Sequence, residues 1–220
     1  MRPSAIATAL ALVFVAGGAR AAEDGAKPAG PAYEREREPE DAPPPAPYAK
    51  GLVVDASIGA IGFLGQFGKL APPGPWFHGQ IGYELLEWLM LYGETELAFT
   101  TTGNKEEAPR TRVFSLFGFG GGARLTWRIT ERIGIYGQPG VGAMTARIAR
   151  NALGLHGFND AEELSPWVGF RAGFEWFQID RHLALGLNSG VRFATGFAKS
   201  GRSSDTPLAL DGGISLRYAF

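Results

Sequence analysis

The chain has 220 residues, of which 45% are hydrophobic and 20% charged, a composition that is ordinary for a single folded domain. Its formal net charge of -1 argues against nucleic acid as a main partner, because phosphate binding requires a basic surface. The sequence contains no cysteine, which excludes structural disulfides and thiolate chemistry.

The first 21 residues have the pattern of a secretory signal peptide. Arg2 supplies a positive charge, residues 5–16 are apolar, and residues 19–21 (Ala-Arg-Ala) fit the small-x-small pattern that precedes cleavage. The apolar run is shorter than the roughly 20 residues of a spanning helix, so a permanent N-terminal anchor is the less favoured alternative. We therefore expect export, with cleavage before Ala22.

Residues 22–49 are rich in proline, alanine and charge and have no hydrophobic period. Such a segment cannot bury a core, so the composition predicts a semi-extended, disordered linker. The alternating charges of residues 34–38 are typical of a solvated surface, and contact with periplasmic partners is the alternative function for this run. The chain therefore divides into a signal peptide, a Pro-rich charged linker and a folded domain over residues 50–220.

From Lys50 onward, stretches of about 10 to 15 residues alternate between apolar residues and polar or small ones, which is the period-2 pattern of β-strands. This pattern predicts an all-β fold. We expect eight strands, at roughly 50–62, 76–86, 89–101, 111–127, 132–146, 165–177, 182–195 and 208–220.

The connections between these strands alternate in length. Residues 86–88, 128–131 and 178–181 are tight and charged, whereas the other connections are long and polar. Short turns at one end and long loops at the other are typical of outer-membrane barrels, in which the short turns are periplasmic. The predicted fold is an eight-stranded antiparallel up-and-down transmembrane β-barrel, and an even strand number places both ends of the barrel on the periplasmic side.

Charge separates the two faces of the predicted strands. In the strand at 165–177, Val168, Phe170, Phe174 and Trp176 share a face opposite Arg171 and Glu175, and the other strands divide in the same way. A charge facing lipid at midplane costs about 2–4 kcal/mol, so a face without charges is what a lipid-facing surface requires. Periodicity alone leaves a soluble barrel or sandwich open. The signal peptide, the loop asymmetry and the terminal phenylalanine favour the membrane.

The polar face predicts a charge network inside the barrel, because buried charges persist when they are paired and arginine binds carboxylates through a planar fork. Eight strands leave room for side chains only, and we therefore expect a plugged polar lumen without a continuous pore. Glycines such as Gly169 and Gly173 are expected to make room for the arginines. His78, Gln80, Tyr136 and Gln138 join the same face. The predicted network comprises Asp55, Glu84, Glu94, Glu96, Arg112, Arg124, Arg171, Glu175, Arg192, Asp211 and Arg217.

Aromatic residues cluster near both ends of the strands, as in the interfacial girdles of membrane barrels. The predicted girdle near the short turns consists of Tyr83, Trp88, Trp127 and Trp176, with Tyr218 and Phe220 close by. A second group near the long loops consists of Trp76, Phe77, Phe99 and Phe193.

The last residues carry a resemblance to a known family. Ile214, Leu216, Tyr218 and Phe220 place apolar residues at every second position and an aromatic residue at the end, which resembles the C-terminal assembly signal of outer-membrane barrels. With the eight strands, residues 50–220 resemble the small OmpA-type barrels. This resemblance implies insertion by the barrel-assembly machinery into the outer membrane of a Gram-negative bacterium.

A narrower resemblance is to the outer-membrane barrel proteins of myxobacterial gliding motility. It is carried by residues 50–60 (KGLVVDASIGA), by residues 80–83 (QIGY) and by the alternation of short turns and long loops. It implies no role for any individual residue.

The sequence indicates no catalytic, cofactor-binding or metal-ligating set, and we expect that the protein is not an enzyme. The glycine run at 118–123 matches a dinucleotide pattern, but a strand follows it where that pattern needs a helix. His78, His156 and His182 are dispersed, which argues against a metal centre. A lipid-modifying enzyme that uses His78 with a nearby serine stays open as the least favoured alternative.

We therefore predict a non-enzymatic structural barrel, an envelope anchor or a component of an envelope complex, with a plugged polar lumen. Outer-membrane lipid, the barrel-assembly machinery and envelope proteins that contact the linker and loops are its expected partners. The main alternative is a small pore or channel, which the polar lumen would favour.

Overall fold

The computed structural model describes residues 51–103, 112–130, 132–148, 152–177, 182–201 and 205–220. The predicted signal peptide and linker lie outside these ranges.

Within the described ranges, eight antiparallel strands form a closed barrel in which each strand pairs with its neighbours in sequence and the last pairs with the first. Every strand begins and ends within two residues of the predicted boundary. The strands are β1 (Leu52–Phe63), β2 (Gly74–Leu86), β3 (Leu89–Thr101), β4 (Val113–Arg128), β5 (Ile133–Arg147), β6 (Ser165–Phe177), β7 (Leu183–Ala194) and β8 (Leu208–Ala219).

Closure depends on the pairing of β1 with β8. Their register runs from Val53 opposite Ala219 to Phe63 opposite Ala209 without interruption. A closed sheet has no unpaired edge, so the backbone polar groups are satisfied within the barrel, as a lipid environment requires. Both ends of the barrel lie beside the short β2–β3, β4–β5 and β6–β7 connections. We call this end the turn end and the opposite end the loop end.

The strands are apolar outside and polar inside. Along β7, burial alternates at every residue, so that Arg192 is 3% exposed whereas Leu187 is 60% exposed. The same inversion holds on other strands, where Ile58 is 58% exposed and Arg124 is fully buried. A water-soluble barrel places apolar side chains inside and polar ones outside. This distribution is therefore that of a transmembrane barrel, and the soluble alternative is wrong.

Short helical segments occur at the loop end. The helix α1 (Gly65–Leu70) follows β1, and single 3₁₀ turns lie at Gly154–His156, Asn159–Ala161 and Thr195–Phe197. In the part of the chain that the structure describes, no helix is long and apolar enough to cross a membrane.

The interior at the loop end is apolar, which corrects the expectation of a polar lumen along its whole length. Phe67 of α1 is fully buried, and its ring lies 4.8 Å from Phe63, 5.1 Å from Phe158 and 4.9 Å from Phe197 (between ring centroids). These loop residues pack on inward-facing strand residues, and together they form the apolar cap: Ile61, Phe63, Phe67, Leu70, Trp76, Phe114, Leu116, Met144, Leu153, Phe158, Trp167 and Phe197.

Trp76 belongs to this cap and not to the aromatic group that faces lipid. Its side chain is fully buried, whereas its neighbour Phe77 is 42% exposed on the outer face. The position of Trp76 on the strand places it inside, because successive side chains point to opposite faces. The predicted second girdle therefore retains Phe77, Phe99 and Phe193, which are each partly exposed on the outside.

Candidate functional site: the barrel interior

Below the apolar cap, ion pairs fill the interior. Within the described ranges, these pairs join four arginines to six carboxylates, and every one of the side chains is 7% exposed or less. The pairs fall into two groups. The lower cluster, nearer the turn end, comprises Asp55, Glu84, Arg124, Glu175 and Arg217. The middle cluster comprises Glu94, Glu96, Arg171, Arg192 and Asp211, with His78.

The lower cluster is organised around Glu175 on β6. This carboxylate is paired with Arg124 from β4, and its second oxygen lies 3.5 Å from Nη1 of Arg217 on β8. Arg217 also pairs with Glu84, and Nη1 of Arg124 lies 3.6 Å from Asp55. The five side chains come from five strands, so the cluster connects β1, β2, β4, β6 and β8 across the lumen.

The middle cluster is organised around Asp211 on β8. Its Oδ1 accepts a hydrogen bond from Nε of Arg171 at 3.1 Å, and its Oδ2 accepts from Nη2 of Arg192 at 2.7 Å. Each arginine then reaches the opposite wall, Arg171 to Glu94 at 2.9 Å and Arg192 to Glu96. The two arginines thus connect β3 to the opposite wall of the barrel, which is formed by β6, β7 and β8.

Aromatic rings lie against these charges. Nε1 of Trp76 donates a hydrogen bond to Glu96 at 2.8 Å, and the guanidinium of Arg171 lies 5.2 Å from the centre of the Trp76 ring. In the lower cluster, the guanidinium of Arg124 lies 3.6 Å from the centre of the Tyr136 ring. An arginine over an aromatic face gains electrostatic stabilisation, which is larger at a desolvated site. The rings therefore stabilise the charges of these buried arginines.

His78 on β2 contacts the middle cluster. Nε2 of His78 lies 2.8 Å from the Glu94 carboxylate, and the imidazole ring stacks on Trp76 at 5.2 Å between centroids. The same nitrogen lies 3.1 Å from Nη1 of Arg171. His78 therefore contacts both partners of the Arg171–Glu94 ion pair.

Gly169 makes room for an arginine, as the sequence predicts, whereas Gly173 makes room for a tyrosine. A Cβ at Gly169 would collide with the stem of Arg192, and one at Gly173 would collide with the Tyr136 ring. These close approaches show why residues without side chains lie opposite the largest polar residues of the lumen.

Arg112 is the one predicted network member that the structure places elsewhere. It precedes the first residue of β4 at the loop end, where its carbonyl accepts a hydrogen bond from the Thr102 amide at 2.9 Å. The predicted strand starts at residue 111, two residues before β4 begins, and therefore includes Arg112 in the barrel wall. The other ten residues of the predicted network lie together in the two clusters.

The first predicted aromatic girdle and the predicted assembly signal both lie on the outer face of the barrel. Tyr83, Trp88, Trp127 and Trp176 are between 44% and 57% exposed, and Trp127 pairs with Ile135 while Trp176 pairs with Leu185 near the short turns. Ile214, Leu216, Tyr218 and Phe220 also face outward, and the Tyr218 and Phe220 rings pack edge to face at 4.8 Å. Their assembly role stays a prediction.

The geometry around His78 bears on the enzyme alternative. Ser57 lies directly opposite His78 in the β1–β2 pairing, but its hydroxyl donates to Asp55 at 3.3 Å and accepts from Asn188 at 3.2 Å. Both side chains are buried beneath the cap. His182 at the turn end contacts the Ala219 carbonyl, and His156 lies in a loop. Among the described residues, no group of three potential metal ligands is found.

A small cavity lies beside the middle cluster, between Tyr92, Gln138, Trp167 and Arg171. Its volume is about 10 Å³, which is close to the space that one water molecule needs. Gln138 crosses the barrel at this level and donates to Gln80 at 3.2 Å. This cavity therefore leaves room for about one water molecule at the level of the middle cluster.

The sequence did not indicate the apolar cap. The signal that identifies it is the change of the inward positions on β1 from Asp55 and Ser57 to Ile61 and Phe63, and the matching change on β4, where Phe114 and Leu116 point inward. These residues look like lipid-facing ones in the sequence. Their inward direction follows from the alternation of side chains along each strand, because they lie an even number of residues from an inward-facing charged or polar residue.

No family model matches this chain, and no curated protein matches it. Among solved structures, the chain is similar to the Neisserial surface protein A, with a TM-score of 0.56 and 14% identity over 77% of this chain and 97% of that chain. This similarity establishes the fold, that of a small outer-membrane β-barrel. The comparisons give no support to the gliding-motility resemblance.

Two further barrels align at lower scores. The attachment invasion locus protein Ail of Yersinia pestis, crystallised with the heparin analogue sucrose octasulfate, has a TM-score of 0.47 and 14% identity over 77% of this chain and 100% of that chain. OprG of Pseudomonas aeruginosa has a TM-score of 0.48 and 10% identity over 77% of this chain and 96% of that chain.

Proposed function

We propose that this protein is a non-enzymatic structural barrel of the outer membrane of a Gram-negative bacterium, with a closed interior, and that it acts as an envelope anchor or as a component of an envelope complex. The observation that carries the proposal is the filling of the interior, by ion pairs from the turn end to the middle and by the apolar cap at the loop end.

The ion pairs support a closed barrel because they cross the lumen. Arg171 and Arg192 both reach from Asp211 to carboxylates on β3, and neither can move aside without leaving a buried charge unpaired. Removing one partner of a buried pair costs about 3–5 kcal/mol. The free energy needed to open a path for ions at this level is therefore a large part of the free energy of unfolding of a typical domain.

The apolar cap supports the same conclusion at the other end. Trp76, Phe67 and Phe197 are fully buried, and the rings of Phe63 and Phe197 stack at 5.4 Å. A hydrated ion that entered from the loop end would have to lose its water among these rings, and an apolar constriction closes a pore by excluding water.

The interior also argues against catalysis. Acyl transfer needs a serine that donates to a histidine, and here the Ser57 hydroxyl donates to Asp55 while His78 contacts Glu94. An acyl chain needs an apolar slot beside such a pair, and this level of the barrel holds charges. Because the interior side chains bind one another, we expect partners to contact the outer face, the loops or the linker.

The anchoring role rests on the placement of the chain ends. Leu52 at the start of β1 lies at the turn end, and the predicted linker over residues 22–49 precedes it in sequence. Envelope proteins on that side, together with partners at the loops, are the proposed contacts.

Conductance separates this proposal from the pore alternative. The purified full chain is reconstituted in planar lipid bilayers, and a porin of known conductance is measured in the same bilayers as a control. We expect no steady current from this protein. Reproducible single-channel steps from the wild-type protein would overturn the closed barrel and establish a small channel.

Location and anchoring have separate tests. On gels, the folded protein from the outer-membrane fraction should migrate faster before heating than after it, and recovery in the soluble periplasmic fraction would contradict the assignment.

For anchoring, envelope proteins captured by the full chain are compared with those captured by a variant that lacks residues 22–49. Identical capture by both would remove the linker from the proposal.

A further inference from the structure

A groove lies on the outer face of the barrel, across β5, β6 and β7. Its floor consists of Gly137, Ala172 and Ser189, which pair side by side in the sheet, and its volume is about 550 Å³. Phe170 borders it on the loop side, and Phe174 and Ile135 border it on the turn side. We call this feature the β5–β7 groove.

The groove is apolar although it contains a serine. The Ser189 hydroxyl donates to the backbone carbonyl of Asp211 at 3.2 Å, so its donor is satisfied within the barrel. The Phe170 ring reaches over Gly137, where a Cβ would come within 2.9 Å of it. The result is an apolar recess with aromatic walls on a surface that faces hydrocarbon, where the acyl chain of a lipid is the available apolar occupant.

The groove opens toward the membrane interface at the turn end. Trp127 lines it, pairs with Ile135 and is 57% exposed in the aromatic girdle. Tryptophan in such a position lies at the level of lipid headgroups. A chain in the groove would therefore continue past Trp127 to a headgroup in the turn-side leaflet.

Positive charge lies at this exit. The β4–β5 turn that follows Trp127 carries the exposed residues Arg128 and Arg132, with Glu131 between them in sequence. The β2–β3 turn, in contrast, carries Glu87 and no basic residue. The net positive charge of the β4–β5 turn is complementary to a phosphate group, and each basic residue near an anionic lipid surface adds about 1 kcal/mol of attraction.

We infer that the β5–β7 groove and the β4–β5 turn together form a binding site for one anionic phospholipid of the turn-side leaflet. One acyl chain lies in the groove, the glycerol backbone lies beside Trp127, and the phosphate contacts Arg132, with Arg128 adding to the field. Phosphatidylglycerol has this chemistry, and the zwitterionic phosphatidylethanolamine of equal chain length lacks its net charge. The inference requires a barrel that spans a membrane, and it is independent of whether the lumen is closed.

The test is native mass spectrometry of the full chain, released from detergent micelles that contain equal amounts of phosphatidylglycerol and phosphatidylethanolamine. We expect one bound phosphatidylglycerol per barrel in preference to phosphatidylethanolamine. Arg132→Gln should reduce that preference about fivefold, because one headgroup charge contact is lost. Ala172→Leu, which fills the groove floor, should reduce retention of both lipids.

Two variants serve as matched controls. Ala56→Leu adds the same bulk to an exposed alanine on β1, and Lys69→Gln removes an exposed positive charge at the loop end, and neither should change lipid retention. A gel shift on heating checks that every variant is folded, and Ser189→Leu replaces Ala172→Leu if the latter fails this check. Equal retention of the two lipids by the wild-type protein would overturn the site. Equal losses from Ala56→Leu and Ala172→Leu would also overturn it.

Discussion

Arg192 binds Asp211 with two nitrogens that converge on one carboxylate oxygen, Nη2 at 2.7 Å and Nε at 3.1 Å from Oδ2. The second oxygen of Asp211 is left for Arg171. One carboxylate on β8 therefore fixes two arginines, each of which reaches across the lumen to β3. Asp211 is therefore the residue that joins the two arginines of the middle cluster.

The first prediction concerns this contact. Arg192→Met should reduce the free energy of unfolding by about 3–5 kcal/mol, because Asp211 and Glu96 would remain buried without a full set of partners. Urea titration of the protein in detergent micelles, followed by tryptophan fluorescence, measures the change. Lys69→Met at an exposed position of α1 is the control and should change stability by about 0.5 kcal/mol or less. A loss below about 1 kcal/mol for Arg192→Met would show that its pairing with Asp211 and Glu96 does not stabilise the barrel.

The second prediction concerns the boundary between the polar interior and the apolar cap. Trp76→Phe keeps an aromatic ring but removes the donor that Glu96 accepts from at 2.8 Å. A buried acceptor that loses its partner costs about 1–3 kcal/mol, and we expect a loss of that size in the same urea titration. Trp88→Phe, at a residue that is 53% exposed at the turn end, should have little effect. Equal effects from the two variants would mean that the Trp76 hydrogen bond is unimportant.

The third prediction tests the close packing of a glycine against an arginine. Gly169→Ala should destabilise the barrel by about 1–3 kcal/mol, because the added methyl group would overlap the Arg192 stem and lie 2.7 Å from the Val191 carbonyl. Gly79→Ala is the matched control on an outer face, where the nearest atom is 3.8 Å away. If both alanines are tolerated equally, the interior is less tightly packed than the structure indicates.

The fourth prediction tests which face meets lipid. Ile58 lies midway along β1 and is 58% exposed, so Ile58→Arg should reduce stability in lipid vesicles by about 2–4 kcal/mol. Leu64→Arg, just beyond the end of β1, lies nearer the interface and should cost about 0–1 kcal/mol. A reversed order of these costs would contradict the placement of the hydrocarbon layer.

The fifth prediction concerns assembly. Phe220→Ala should reduce the amount of folded protein in the outer-membrane fraction of cells several-fold, while the purified variant refolds in detergent as the wild type does. The heat-dependent gel shift measures both. Phe193→Ala, at a residue that is 40% exposed on the outer face near the loop end, serves as the control. Equal losses in cells from the two variants would remove any special role of the terminal residue.

The strands were predictable because each one is amphipathic with a strict period of two. Charged residues such as Arg171 and Glu175 identify the inward-facing side of β6, and the direction of each remaining side chain follows from the alternation. The ten network residues that lie in the clusters were predictable for the same reason. Which carboxylate pairs with which arginine was not, because pairs such as Arg192 and Glu96 lie on strands that are not neighbours in the sheet.

The cap was not predictable by composition, because an inward Phe63 and a lipid-facing Phe77 are the same residue type near the same end of the barrel. Only the direction of each side chain separates them, and that direction is set by residues further along the strand. The loop residues of the cap, such as Phe67 and Phe158, have no strand period at all. Their burial arises from tertiary contacts between loops that are distant in sequence.

The pairing of β1 with β8 has a consequence for the route by which the protein folds. Val53 and Ala219 lie at opposite ends of the domain in sequence, and the sheet cannot close until both have formed strands. Contacts of such long range slow folding, since chain entropy is lost before the last row of hydrogen bonds forms. Until then, β1 and β8 each expose a free edge that can pair with another chain. Closure of the barrel by the β1–β8 pairing therefore removes the edges at which an incomplete sheet could aggregate.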